Sequence, residues 1–113
     1  MVNIKDDLHL QINNRPVYYE GDAPDQLPNE YYTVSEDYTS DNLNAENKAL
    51  EHLYEFTLKW YTNDAKTLYT GLQEAINLLK SKGYLIEGTG YKNATYKNTW
   101  FSRMVDVEKI DYL

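Results

Sequence analysis

Between Leu50 and Tyr61 the apolar side chains fall on every second residue, and from Asp64 to Gly83 they fall on every third or fourth. A period of two sorts side chains onto the two faces of a strand, whereas a period near 3.6 lines one face of a helix. The switch therefore predicts a strand that feeds a helix. Leu50, His52, Tyr54, Phe56, Leu58 and Trp60 share one face, and Glu51, Glu55, Thr57 and Lys59 share the other, interrupted by Leu53 and Tyr61. Leu50, Leu53, Tyr54 and Leu58 alone would also satisfy a helical stripe. A helix, however, would place Phe56 and Trp60 on poorly matched faces, so the extended reading rests on those two residues.

The helix is expected over residues 64–83, with Thr62, Asn63 and Asp64 as N-cap candidates and Leu68, Leu72, Ala75, Ile76 and Leu79 as its buried stripe. Lys80 and Lys82 complement the negative end of its dipole, and Gly83 stands where a left-handed cap is wanted. Upstream, Ile4, Leu8 and Ile12 recur at four-residue steps behind Asn3, which predicts a short N-terminal helix over residues 3–12. Val17, Tyr18 and Tyr19 form a small edge strand, and Gly21, Pro24 and Pro28 mark a surface loop. Tyr31 to Ser35 begins a Tyr-rich strand that runs on toward Tyr38 or Thr39. The polar stretch DNLNAEN then joins it to an antiparallel partner. After the helix, Tyr84, Leu85 and Ile86 start a strand that Gly88 and Gly90 bend. Residues 93–98 turn, and the last strand covers 99–110, with Phe101, Val105 and Val107 on one face and Trp100 and Met104 on the other. Apolar groups on both faces imply that this strand is covered twice.

The expected architecture is thus α+β: a mostly antiparallel sheet, one long amphipathic helix packed on it and a short N-terminal helix, in a single domain spanning residues 1–113. A length of 113 residues supports one core and is too short for two. Twelve of the aromatic residues are Tyr, so much of the buried area carries a hydroxyl that needs a partner. Cysteine is absent, which excludes disulfides and thiol chemistry and fits a reducing compartment. No apolar run approaches the ~20 residues of a membrane span, and MVNIKDDLHL has acids where a secretory signal carries bases. The expectation is a soluble protein made in the cytoplasm.

The net charge of −7 is uneven: residues 1–30 carry −4, residues 31–64 carry −5 and residues 65–113 carry +2. An acidic front argues against nucleic-acid binding, which needs clustered Lys or Arg, and it permits head-to-tail contact between copies.

No constellation for chemistry emerges. His9 and His52 lack a second His or a Cys at ligand spacing, so no metal or other cofactor is expected. Asp37, Thr39 and Asp41 have the spacing of a calcium loop, but Asn42 stands where glycine is required and Lys48 where the bidentate Glu belongs. Gly88-Thr89-Gly90 is too short for a nucleotide fingerprint, and the serines lack a His partner or a Gly-x-Ser-x-Gly context. The chain is expected to act by shape and assembly and not as an enzyme.

The order and spacing of VYYEGDAP, NEYYTVSED, EFTLKWYT leading through NDA into the helix, and GYLIEGTGYKNATYKNTWFSRMVDVEKI resemble the tail terminator and tail-to-head joining proteins of long-tailed bacteriophages. The resemblance covers nearly the whole chain, although SEDYTSDNLNAEN departs from it in detail. It implies a six-fold ring that caps the tail tube and joins it to the connector at the capsid vertex. It implies as partners further copies of this chain, the tail tube protein and a head-completion protein, with the virion neck as the location. DNA would pass through the channel without specific binding. Ring closure is a heterologous contact, and Tyr91, Tyr96, Trp100, Phe101 and Met104 are the expected subunit-contact residues. The competing readings are another neck or minor head component, and an acidic inhibitor or DNA mimic that occupies a basic groove on a host protein.

Overall fold

The structure is a computed structural model that describes Ile4, Asp7 and residues 15–43, 49–92 and 100–112. Five strands, β1 (Val17–Tyr19), β2 (Glu30–Leu43), β3 (Ala49–Thr62), β4 (Leu85–Lys92) and β5 (Phe101–Tyr112), form one sheet in the order β1-β2-β3-β5-β4. A 3₁₀ turn, Ala65–Thr67, leads into the single long helix α1 (Leu68–Ser81). The fold is α+β, as the period switch predicts.

The expectation of a mostly antiparallel sheet is corrected: the sheet is mixed. β2 with β3, β3 with β5 and β5 with β4 are antiparallel, but β1 lies parallel to β2, with Val17 opposite Tyr32 and Tyr19 opposite Val34. The reason is the loop over residues 20–29. Its ten residues can reach about 33 Å when extended, far more than the length of the three-residue β1, so the chain returns to its starting end before β2 begins.

The short N-terminal helix expected over residues 3–12 is not seen as an element of the fold. Apart from Ile4 and Asp7, that segment lies outside the described residues, as does the turn expected at 93–98. Ile4 is buried in the core, and Asp7 accepts a 2.6 Å hydrogen bond from the Tyr84 hydroxyl.

The helix begins and ends as its sequence requires. The Asp64 carboxylate accepts from the Lys66 amide at 3.0 Å, and Gly83 takes a φ of +89° just past the C-cap, Lys82. Its 14 residues, about 21 Å, lay Leu68, Leu72, Ala75, Ile76 and Leu79 across the sheet. They meet Tyr32 and Val34 from β2, Phe56, Leu58 and Trp60 from β3, and Val105 and Val107 from β5. Burial at ~1.5–3 kcal/mol for each such side chain makes this interface the main stabilising contact. Three polar links fix the helix on the sheet. The Tyr32 hydroxyl donates to the Gly71 carbonyl at 2.6 Å, the Trp60 indole donates to the Thr67 carbonyl at 3.1 Å, and Arg103 donates to the Tyr69 carbonyl at 3.3 Å. Arg15 stacks 4.9 Å over the Trp60 ring, hydrogen-bonds the Tyr32 hydroxyl and pairs with Glu74. Burial of its hydroxyl pushes the Tyr32 pKa up to about 12, opposed by Arg15.

Candidate functional site

Among the described residues, one helix covers one face of the sheet. Antiparallel partners directly across a ladder share a face, so Thr57 with Asp106, Lys59 with Met104 and Tyr61 with Ser102 all project from the side away from α1. Tyr31 of β2, paired with Tyr61, and Glu87 of β4, paired with Asp106, join them there. This open face has two chemically different ends.

At the end where β5 begins, four aromatic rings pack into a patch. Tyr31 stacks on Tyr61 with centroids 4.8 Å apart, and it meets Tyr18 edge-on at 5.9 Å and Trp100 edge-on at 5.6 Å. Such pairs contribute roughly 0.5–1.5 kcal/mol each beyond their buried area. Tyr31 keeps only 7% of its surface exposed, and Tyr18, Tyr61 and Trp100 are the described rings packed against it. Trp100, Tyr61 and Tyr18 are themselves half-buried, so the rings present an apolar surface. Met104, also half-buried, follows along the same face.

The other end is acidic. Asp37, Glu55, Glu87, Asp106 and Glu108 line a shallow pocket of about 170 Å³. From Tyr61 to Glu55 is six residues of β3, so roughly 20 Å separates the two ends. A register shift between Glu36 and Tyr38 brings Asp37 into this group. Its carboxylate accepts from the hydroxyls of Thr57 at 2.5 Å and Ser35 at 3.1 Å, and Thr57 also reaches Asp106 at 3.2 Å. A hydrogen bond shared with Glu87 pushes the Glu108 pKa up to about 7, helped by burial and by the charges of Glu87 and Glu55. Lys59 lies between the two ends and is engaged by Glu20 at 3.4 Å. Among the described residues no three His, Cys, Asp or Glu side chains are arranged to hold a metal ion. Also among the described residues, no helix is long and apolar enough to cross a membrane.

The contact residues expected from sequence divide. Trp100 and Met104 lie on the open face. Phe101 is on the opposite side, packed against the helix-covered core. The backbone of Tyr91 stands opposite Met104 in the β4–β5 ladder, and Tyr96 lies outside the described residues. His52 is half-buried beside Tyr54, with ring centroids 6.2 Å apart. Sequence reading did not single out Tyr18, Tyr31 and Tyr61 for the patch. A signal for Tyr61 was present, since it breaks the polar face of β3. The carboxylate group was hidden, because its members come from four strands and one is placed by a bulge.

No protein-family model matches the chain, and no curated protein matches it.

Proposed function

We propose that this chain is a structural subunit of a bacteriophage neck, assembling as a ring of six that terminates the tail tube and joins it to the head connector. The observation that carries the reading is the open sheet face. It holds a preformed apolar patch of Tyr18, Tyr31, Tyr61 and Trp100, as a surface built for another protein would. The order of strands, helix and final strands is compatible with the family the sequence resembles. The role is one of shape and assembly, with copies of this chain, the tail tube protein and a head-completion protein as partners. The site of action is the top of the tail in the virion, after assembly in the host cytoplasm. A net charge of −7 lets DNA slide through a channel without adhering. Another neck or minor head position would use the same mechanism with different partners. The test is electron microscopy of the purified protein, alone and added to growing tail tubes. Rings and arrested tube growth are expected, and a protein that forms no ring and leaves growth unchanged would refute the reading.

One observation favours a second reading, an acidic inhibitor or DNA mimic. Five carboxylates stand on the rigid sheet, not in loops, and such an array suits a basic groove. Tight one-to-one binding to a nucleic-acid enzyme, competed by DNA, would establish it in place of the ring.

A further inference from the structure

The acidic end of the open face has a chemical complement on the same molecule. At the C-terminal end of α1, Lys80 is exposed and Lys82 half-buried, and no ion pair engages either one among the described residues. Lys109 of β5 joins them: its ammonium donates to the Lys82 carbonyl at 2.6 Å and lies 5.2 Å from the Tyr84 ring. Three ammonium groups outweigh the roughly half charge of a helix C-terminus, so this rim is positive. Leu85, 54% exposed at the start of the edge strand β4, stands opposite Glu108 in the β4–β5 ladder and adds an apolar contact on the carboxylate side of the sheet.

We infer that copies of this chain join head to tail, the lysine rim of one copy (Lys80, Lys82, Lys109) seating on the carboxylate group of the next (Glu55, Glu87, Asp106, Glu108). The inference rests on the ring reading and names the two surfaces that the ring would join. Three features of the structure point to it. Among the described residues no ion pair engages these carboxylates, which crowd one another, and Lys59 on the same face is engaged by Glu20. Bringing ammonium groups to them relieves a repulsion already present in the free subunit. A face-to-face, two-fold contact would instead set carboxylates against carboxylates, so the favoured contact is heterologous. Finally, Glu108 and Lys109 are successive residues of β5 that point to opposite sides of the sheet. The two patches therefore sit at the same level along the strands and on opposite sides of the sheet, so one subunit can present its rim to one neighbour and its carboxylates to another, as a heterologous contact requires.

Charge reversal tests the pairing. Lys80→Glu/Lys82→Glu reverses the rim, and Glu87→Lys/Glu108→Lys reverses the face. Association of each variant alone, measured by sedimentation velocity, is expected to be at least tenfold weaker than that of the wild type, with circular dichroism unchanged. An equimolar mixture is expected to recover assembly, because each reversed surface then meets its complement around an alternating ring. Raising the salt should weaken wild-type association, since charges at a rim are screened within about 8 Å at physiological ionic strength. Glu87→Gln/Glu108→Gln provides a milder face variant, expected to associate less tightly than the wild type and to stay folded. Variants that assemble as the wild type does, or a mixture that fails to recover, would overturn this pairing and leave the ring reading intact. A wild type that stays monomeric at high concentration, or that binds only a basic partner, would overturn both.

Discussion

The indole of Trp60 fills the space that a side chain on Gly71 would need: a Cβ built there would lie 2.2 Å from Cε2 and 2.5 Å from Nε1 of the ring. Trp60 is wholly buried and held by its hydrogen bond to the Thr67 carbonyl, so the ring has nowhere to withdraw. The glycine is what lets the helix approach β3 this closely.

Gly71→Ala is therefore expected to destabilise the protein, by up to about 2 kcal/mol. Overpacking costs of about 1–3 kcal/mol exceed the ~1 kcal/mol that alanine gains in a helix. Urea denaturation measures the loss. Adding Trp60→Phe, which removes the clashing atoms, should recover part of it. A Gly71→Ala protein as stable as the wild type would show that the helix can lift off the sheet at little cost.

Leu72→Asp is expected to abolish the fold. The side chain is fully buried at the centre of the helix stripe, and losing its packing while burying an unpaired carboxyl group costs an amount comparable to the ~5–15 kcal/mol that holds a domain together. Loss of the cooperative thermal transition in circular dichroism is the expected result.

Trp100→Ala should leave the domain folded while weakening its association. Trp100 is half-buried on the open face and touches Tyr31 edge-on, so truncation removes roughly 1 kcal/mol of aromatic contact and no core side chain. Sizing together with circular dichroism separates the two effects. An unfolded variant would assign Trp100 to the core and not to a contact surface.

Stability should fall as pH rises from 4.5 to about 7, the interval between the ordinary and the folded pKa of Glu108. Within that interval the folded state binds more protons than the unfolded state, so the contribution is fully present below 4.5 and is lost as pH passes the folded value. Glu108→Gln should flatten this slope and stabilise the protein at about pH 8 relative to the wild type, by removing a charge from a crowded group. Denaturation midpoints at about pH 5 and about pH 8 supply the comparison. An unchanged slope in the variant would remove Glu108 as its source.

The central elements were legible because period and composition agree there. Phe56 and Trp60 demand an extended backbone, Leu68 to Leu79 demand a helix, and both lie as expected. Gly83 adopts the positive φ expected of it past the end of the helix. What sequence did not reveal depends on pairing across the sheet. The parallel placement of β1 follows from where a ten-residue loop returns the chain, which no local pattern encodes. β2 runs to Leu43, past Thr39, because β3 offers it an unbroken partner and not because its own residues favour strand. Of the candidate site, Trp100 and Met104 were readable by alternation, and the same alternation puts Phe101 on the helix side. Asp37 joined the carboxylates only through a register shift, and a shift cannot be counted from one strand alone.

Both flanks of the sheet are interrupted. β1 covers only Tyr32 to Val34 of β2, and beyond them β2 shifts register between Glu36 and Tyr38 and again between Asn42 and Leu43. At the opposite margin, β4 shifts between Glu87 and Tyr91. A strand broken in this way offers no straight row of amides for another chain to zip onto. Runaway fibre growth through these margins is thereby disfavoured, and the protein can accumulate to high concentration without its sheet edges zipping together.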